Sequence, residues 1–272
     1  MIDPFDYKEP QCPLCGGEEF YGAERRARSV PIMNITEKLD SFFSKEDYRG
    51  AKKLLEYWLT EAREIGDERG ELSLLSEVMG LSRRIGEHEW GMDAVRRGTE
   101  LCRSLGLAET VSGATVLLNA ATTMKAFGEA EASIPYYEDV RGVYEKYLDP
   151  DDARFGGLYN NMALALADCG RYGEAEDAYE KALVVMSSKK NGALESAITL
   201  INMAELYERA LGDSEGAVGR CMDQAYECLK TPDHDGYYAF VCRKCAPTFG
   251  HFGYFAAQRE LDAEADEIYA GN

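Results

Sequence analysis

Glycines recur along this chain at Gly86, Gly128, Gly170, Gly212 and Gly253, separated by 42, 42, 42 and 41 residues. A fixed period of this length marks one supersecondary unit stacked several times, because a single unit cannot bury its own apolar face and needs neighbours to do so. Between the glycines, apolar residues recur at three and four, and Ala, Leu, Glu and Arg are abundant; no stretch alternates with period two. Each period therefore reads as two helices with the glycine at the turn between them.

The clearest unit is LYNNMALALADCGRYGEAEDAYEKALVVM, residues 158–186. Tyr159, Met162, Ala163 and Leu166 on its first helix, and Ala175, Tyr179 and Ala182 on its second, match in size the large and small positions of the tetratricopeptide repeat. The chain resembles that family. In the family's register, Tyr159, Met162, Ala163 and Leu166 stand at positions four, seven, eight and eleven. Sliding this register along the chain gives Leu39, Met79, Ala121, Ala163, Ala204 and Ala246 at the small eighth position, spaced 40, 42, 42, 41 and 42 residues apart. The resemblance implies an all-α, right-handed α-solenoid of about six helix pairs over residues 32–272, preceded by an N-terminal segment, residues 1–31. Departures are Ser133 and Gln258 at positions where the family has Ala, and Ser187 where its closing Pro is expected. The usual period is about 34 residues, so these helices are about a turn longer each. Repeats of this length resemble those of the peptide-pheromone receptors of Gram-positive bacteria.

Composition removes several functions. A net charge of −19 disfavours nucleic acid and anionic membrane surfaces, whose affinity comes from clustered Lys and Arg. No apolar run reaches the length of a membrane span, and Asp3, Asp6 and Glu9 stand where a signal peptide would be basic and then apolar. The expected location is cytoplasmic, with the eight cysteines as thiols or metal ligands.

Two Cys-x2-Cys pairs stand near the ends of the chain, Cys12 with Cys15 and Cys242 with Cys245. Cys242 and Cys245 fall at the fourth and seventh positions of the sixth unit, and Cys221 on the second helix of the fifth, all expected in the core, where free cysteine packs as a small hydrophobe. Cys12-Pro-Leu-Cys15-Gly-Gly instead has the shape of a zinc knuckle. It supplies half of a four-ligand site, and helices packing about 9 Å apart keep Cys242 and Cys245 of the same chain far from it. A second copy of the knuckle across a homodimer would complete a zinc site; an N-terminus without metal is the alternative, and no other cofactor is expected.

One row of residues points to binding. Position six of the six units reads Glu37, Glu77, Asn119, Asn161, Asn202 and Lys244, and the chain has only seven asparagines. Asn is a mediocre helix former, so three in one register need another reason. The resemblance implies that this row lines the concave groove, and that Asn119, Asn161 and Asn202 grip the backbone of an extended peptide with their amide donors and acceptor. Arg243 and Lys244 would meet a ligand carboxylate at one end, with Arg83, Arg84 and Lys125 doing likewise at the other. Asp168, Glu205 and Glu208 would favour a basic residue between them. The rival explanations are hydrogen bonding among the asparagines that fixes the stacking, or inheritance from one duplicated unit.

No metal-protease, nucleophile-elbow, P-loop or dinucleotide pattern occurs around His88, His234 or His251 or elsewhere, so no catalysis is expected. The sequence reads as an adaptor or receptor holding a peptide or protein segment in its groove. Two alternatives stand beside it: a scaffold for oligomer assembly, and a zinc- or redox-responsive regulator using Cys12 and Cys15. Receptors of this kind that regulate transcription carry a helix-turn-helix domain before their repeats, for which residues 1–31 are too few, so action on another protein is the expectation.

Overall fold

The computed structural model describes residues 29–45, 47–189, 192–211, 216–230 and 234–270. The knuckle cysteines Cys12 and Cys15 lie outside the described residues. All regular elements among the described residues are helices, twelve in all, and they fall into two compact units divided at Leu148 and Asp149.

The first unit holds α1 (Ile32–Phe43), α2 (Tyr48–Ile65), α3 (Glu68–Ile85), α4 (His88–Ser104), α5 (Val111–Ala126) and α6 (Ala130–Tyr147). The second holds α7 (Ala153–Asp168), α8 (Tyr172–Ser187), α9 (Gly192–Leu211), α10 (Ala217–Leu229), α11 (Gly236–His251) and α12 (Phe255–Ala270). Odd and even helices pair as hairpins, and each hairpin packs on the next within its unit. The expected six helix pairs are present.

Four of the recurring glycines are the stops between paired helices; Gly212 lies outside the described residues. Gly86, Gly128, Gly170 and Gly253 have φ of 71°, 87°, 74° and 84°, the left-handed conformation that ends a helix and that only glycine adopts without strain. Starts are set by side chains that satisfy the first free backbone N–H groups. Asp47 accepts from the Gly50 N–H at 2.8 Å, Thr110 from Gly113 at 3.1 Å, and Asp235 from both Tyr237 and Tyr238 at 2.9 Å. Asp67 does two jobs: one oxygen takes the Gly70 N–H and the other the Val30 N–H, both at 2.9 Å, pinning the entry to α1 against the start of α3.

The eighth-position row runs through the core of each unit. Leu39 is 1% exposed, and Met79, Ala121, Ala163, Ala204 and Ala246 are fully buried. Four of the six are alanine because first and second helices approach closely there, leaving room for one methyl group. Cys242 and Cys245 are also fully buried, and burial pushes both thiols up to about 12, so they are packing residues and poor nucleophiles. Ser133, the departure from alanine in the third unit, is buried with its hydroxyl donating to the Ala130 carbonyl at 2.6 Å. A hydroxyl satisfied inside its own helix fits where a methyl would.

One charge lies inside the first unit. The Glu71 side chain of α3 is 3% exposed and bridges Arg63 of α2, at 2.7 Å, and Arg97 of α4, at 3.0 Å. Burial pushes its carboxyl up, but hydrogen bonds and charge from Arg97 and Arg63 outweigh this and hold it below the ordinary carboxylate range.

Candidate functional site

In the second unit the first helices α7, α9 and α11 lie side by side, α9 touching both neighbours. Most of α9 is buried, and its partly open residues form a strip of Glu195, Asn202, Glu205, Glu208 and Arg209. Because each repeat copies the last, a residue on this strip meets its counterpart about 42 positions away, and the hydrogen bonds show it. Asn202 donates its amide to the Asn160 side chain at 3.0 Å. Thr248 donates to Glu205 at 3.1 Å, and Arg209 to Asp168 at 3.1 Å. The His251 ring lies 2.9 Å from both Glu208 oxygens. The Tyr237 hydroxyl donates to Glu195. These five links, offset by 41 to 43 residues, tie α7 to α9 and α9 to α11.

The asparagine row divides in this setting. Asn202 is engaged in stacking, with Asn160 as its partner rather than Asn161. Asn161 is partly exposed on α7, and its side chain makes no hydrogen bond with any described residue. Asn119, in the first unit, is 4% exposed and has almost no surface to present. Arg83 reaches its backbone carbonyl at 3.4 Å and the Thr123 hydroxyl at 2.9 Å, so this arginine ties α3 to α5. Arg84 lies over the Phe43 and Tyr48 rings, 5.2 and 4.7 Å from their centres, and Lys125 sits partly buried in the last turn of α5.

On α11 of the second unit, Arg243 and Lys244 part company. Arg243 is drawn to α12, where it pairs with Asp266 and lies over the Tyr269 ring. Lys244 is on the first-helix strip, where its charge acts on Glu195. Of the acids expected to receive a basic ligand residue, Asp168 holds Arg209 and Glu208 faces His251, while Glu205 accepts from a neutral hydroxyl. Among the described residues, no group of three or more His, Cys, Asp and Glu gathers to hold a metal. No described helix is long and apolar enough to cross a membrane.

Glu195 is the residue that sequence reasoning missed. It stands in the first turn of α9, partly buried, and burial pushes its carboxyl up to about 7, with Lys244 opposing that shift. The signal was present, since Glu195 and Tyr237 are 42 residues apart, one period. A carboxyl raised above its unfolded value contributes stability that is complete below the unfolded value of 4.5 and is lost as pH rises through about 7. Thermal melts should therefore show Tm falling between about pH 4.5 and pH 7 and levelling above that, and Glu195→Gln should remove that part of the slope. An unchanged slope in the variant would place the titration elsewhere.

Residues 155–230 match the tetratricopeptide repeat model, a stretch that contains α8, α9 and α10 whole and nearly all of α7. A comparison with curated proteins finds no match. Among solved structures, the chain is similar to BtubC (BKLC) from P. vanneervenii, with 22% identity, a TM-score of 0.63, and coverage of 72% of this chain and 79% of that one. It is also similar to two structures of a Podosopora anserina putative kinesin light chain with nearly identical TPR-like repeats. These have 15% and 16% identity and TM-scores of 0.52 and 0.53, covering 72% of this chain and 94% and 93% of theirs. Residues 155–230 thus carry tetratricopeptide repeats, and the chain shares the all-α repeat fold of these solved structures.

Proposed function

We propose that this chain is a binding module that takes an extended peptide segment of a partner protein along the first-helix face of α7, α9 and α11. Tetratricopeptide repeats generally mediate protein–protein interaction, and the finer reading rests on one observation. On a face where Asn202, Glu205, Glu208 and Asp168 are all spent on neighbouring repeats, Asn161 keeps its amide donors and acceptor open. An amide held on a rigid helix is pre-organised to bond the N–H and C=O of a peptide backbone, which lowers the ordering cost of binding.

Native mass spectrometry of the chain purified from its own cells tests this. The expected result is an added mass of peptide size that is lost in Asn161→Ala and kept in Glu267→Gln, an exposed acid on α12. Loss of one charge-neutral amide should weaken binding about ten-fold, as expected for a peptide hydrogen bond whose partner is left unsatisfied. Equal retention of the added mass by Asn161→Ala would overturn the proposal.

A further inference from the structure

We infer that the partly exposed surface of α9 and α11 at Glu195 and Tyr237 is a subsite for a cationic side chain, lysine or arginine, of the segment bound on this face. The inference rests on the reading above and adds the chemistry of the ligand. Four acids lie on the strip, and their partners differ. Asp168 has Arg209 as an ion-pair partner and Glu208 has the His251 ring. Glu205 accepts from Thr248. Glu195 accepts from a neutral phenol, and no described cation lies within ion-pair distance of it.

A partly buried carboxylate without a contacting cation is costly, and this is what keeps its carboxyl high. An incoming ammonium or guanidinium would remove that cost. Beside the carboxyl stands an aromatic wall. The Tyr237 ring is partly exposed and stacks on Phe240, 5.7 Å between centres and 21° between planes. Such a ring receives the aliphatic stem of a lysine or the face of a guanidinium. A carboxylate against a π-face is cation chemistry on two independent counts.

Charges on the neighbouring helices frame this carboxyl. From α11, Lys244 and the buried Cys245 face Glu195, and Glu205 stands further along α9; Lys244 acts on Glu195 from beyond ion-pair distance. From α8, Tyr179 lies beside Glu205, Arg209 and the Asp168 of α7, where the charges already balance in a pair. Tyr207 of α9 is engaged with Glu176 of α8 and feels Cys221 of α10. An acidic ligand residue would meet Glu195 and Glu205, and an apolar one would leave the Glu195 carboxyl covered and unneutralised.

The test is an NMR titration of the full chain, carrying carboxyl-labelled glutamate, with N-acetylated and C-amidated Ala-Lys-Ala, and with the same peptide bearing norleucine or glutamate at its centre. The Glu195 resonance is assigned by its loss in Glu195→Gln. The lysine peptide is expected to bind in the low millimolar range, to shift that resonance, and to lower its midpoint from about 7 towards the ordinary carboxylate range. The norleucine and glutamate peptides should leave it in place. Glu195→Gln should weaken the lysine peptide at least ten-fold, and Glu267→Gln should not. The wild-type resonance is itself a readout, so the test does not depend on the variant folding. If all three peptides shift the Asn161 amide alike and leave Glu195 unmoved, the groove reading stands and the cation subsite is wrong. If none shifts either residue, both fall. A lysine peptide that binds equally to Glu195→Gln and Glu267→Gln reports diffuse attraction to the net charge and also overturns the subsite.

Discussion

Replacing both Arg63 and Arg97 with alanine is expected to cost about 3 kcal/mol of folding stability at pH 7.5, or about 10 °C in Tm. The cost falls on Glu71. Its side chain is 3% exposed, whereas Arg63 and Arg97 are 53% and 38% exposed and gain back water when freed. Removing both bases leaves a carboxylate in the packing between α2, α3 and α4 with neither water nor a counter-charge. Either single variant keeps one guanidinium on the carboxylate and should lose less than half as much. Glu71→Gln strands no charge and should cost about 1 kcal/mol.

The pH dependence separates this account from a simple loss of packing. In the wild type the Glu71 carboxyl lies below its ordinary value, so its contribution is present above that value and is lost as pH falls through the folded one. In the double variant only burial remains, the carboxyl is raised, and stability should grow as the medium is acidified. Urea unfolding followed by circular dichroism at pH 7.5, 5.5 and 4 should show the two proteins converging. A gap that is constant with pH would mean that Glu71 is not the stranded group.

The fold was readable because its two strongest signals are local and periodic. A glycine every 42 residues marks where a helix stops in the left-handed conformation, and Gly86, Gly128, Gly170 and Gly253 stand at such stops. The eighth-position row of Leu39, Met79 and four alanines could be placed in the core from size alone. The polar face was harder. Asn161, Asn202 and Glu205 were selected by register, and register names a face without saying which polar atoms on it are already paired. Asn202 is paired because the neighbouring repeat brings Asn160, and not Asn161, opposite it. Arg243 and Lys244 are adjacent in sequence but about 100° apart around the helix, so one serves α12 and the other the first-helix strip. Glu195 escaped notice because its character comes from burial by residues of other helices. Its partner at exactly one period, Tyr237, was the only trace in the sequence.

Phe249→Ala is expected to cost about 4 kcal/mol, and Phe255→Ala, six residues further on, under about 0.5 kcal/mol. The two substitutions delete the same atoms. Phe249 holds the eleventh position of its repeat, where Leu166 stands two units earlier, and is fully buried on α11. Its ring packs edge-on against Tyr226 of α10 and Tyr254 at the end of the last hairpin turn, each 6.0 Å away between centres. Truncation leaves a ring-sized void walled by two tyrosines that are themselves held, Tyr226 by Glu260 and Tyr254 by the Gly219 carbonyl. The site therefore cannot collapse to recover its contacts. Phe255 opens α12 with 58% of its surface exposed, so its loss removes little area from the core. In a repeat array the stability of an end unit is its own plus one interface, so the damage should be local. Hydrogen exchange should show α11 and α12 opening first in Phe249→Ala, with the amides of α7 and α8 still protected. A Phe249→Ala protein that melts with the wild type would remove the eleventh position from the core of this repeat, and with it the register that places Asn161 on the first-helix face.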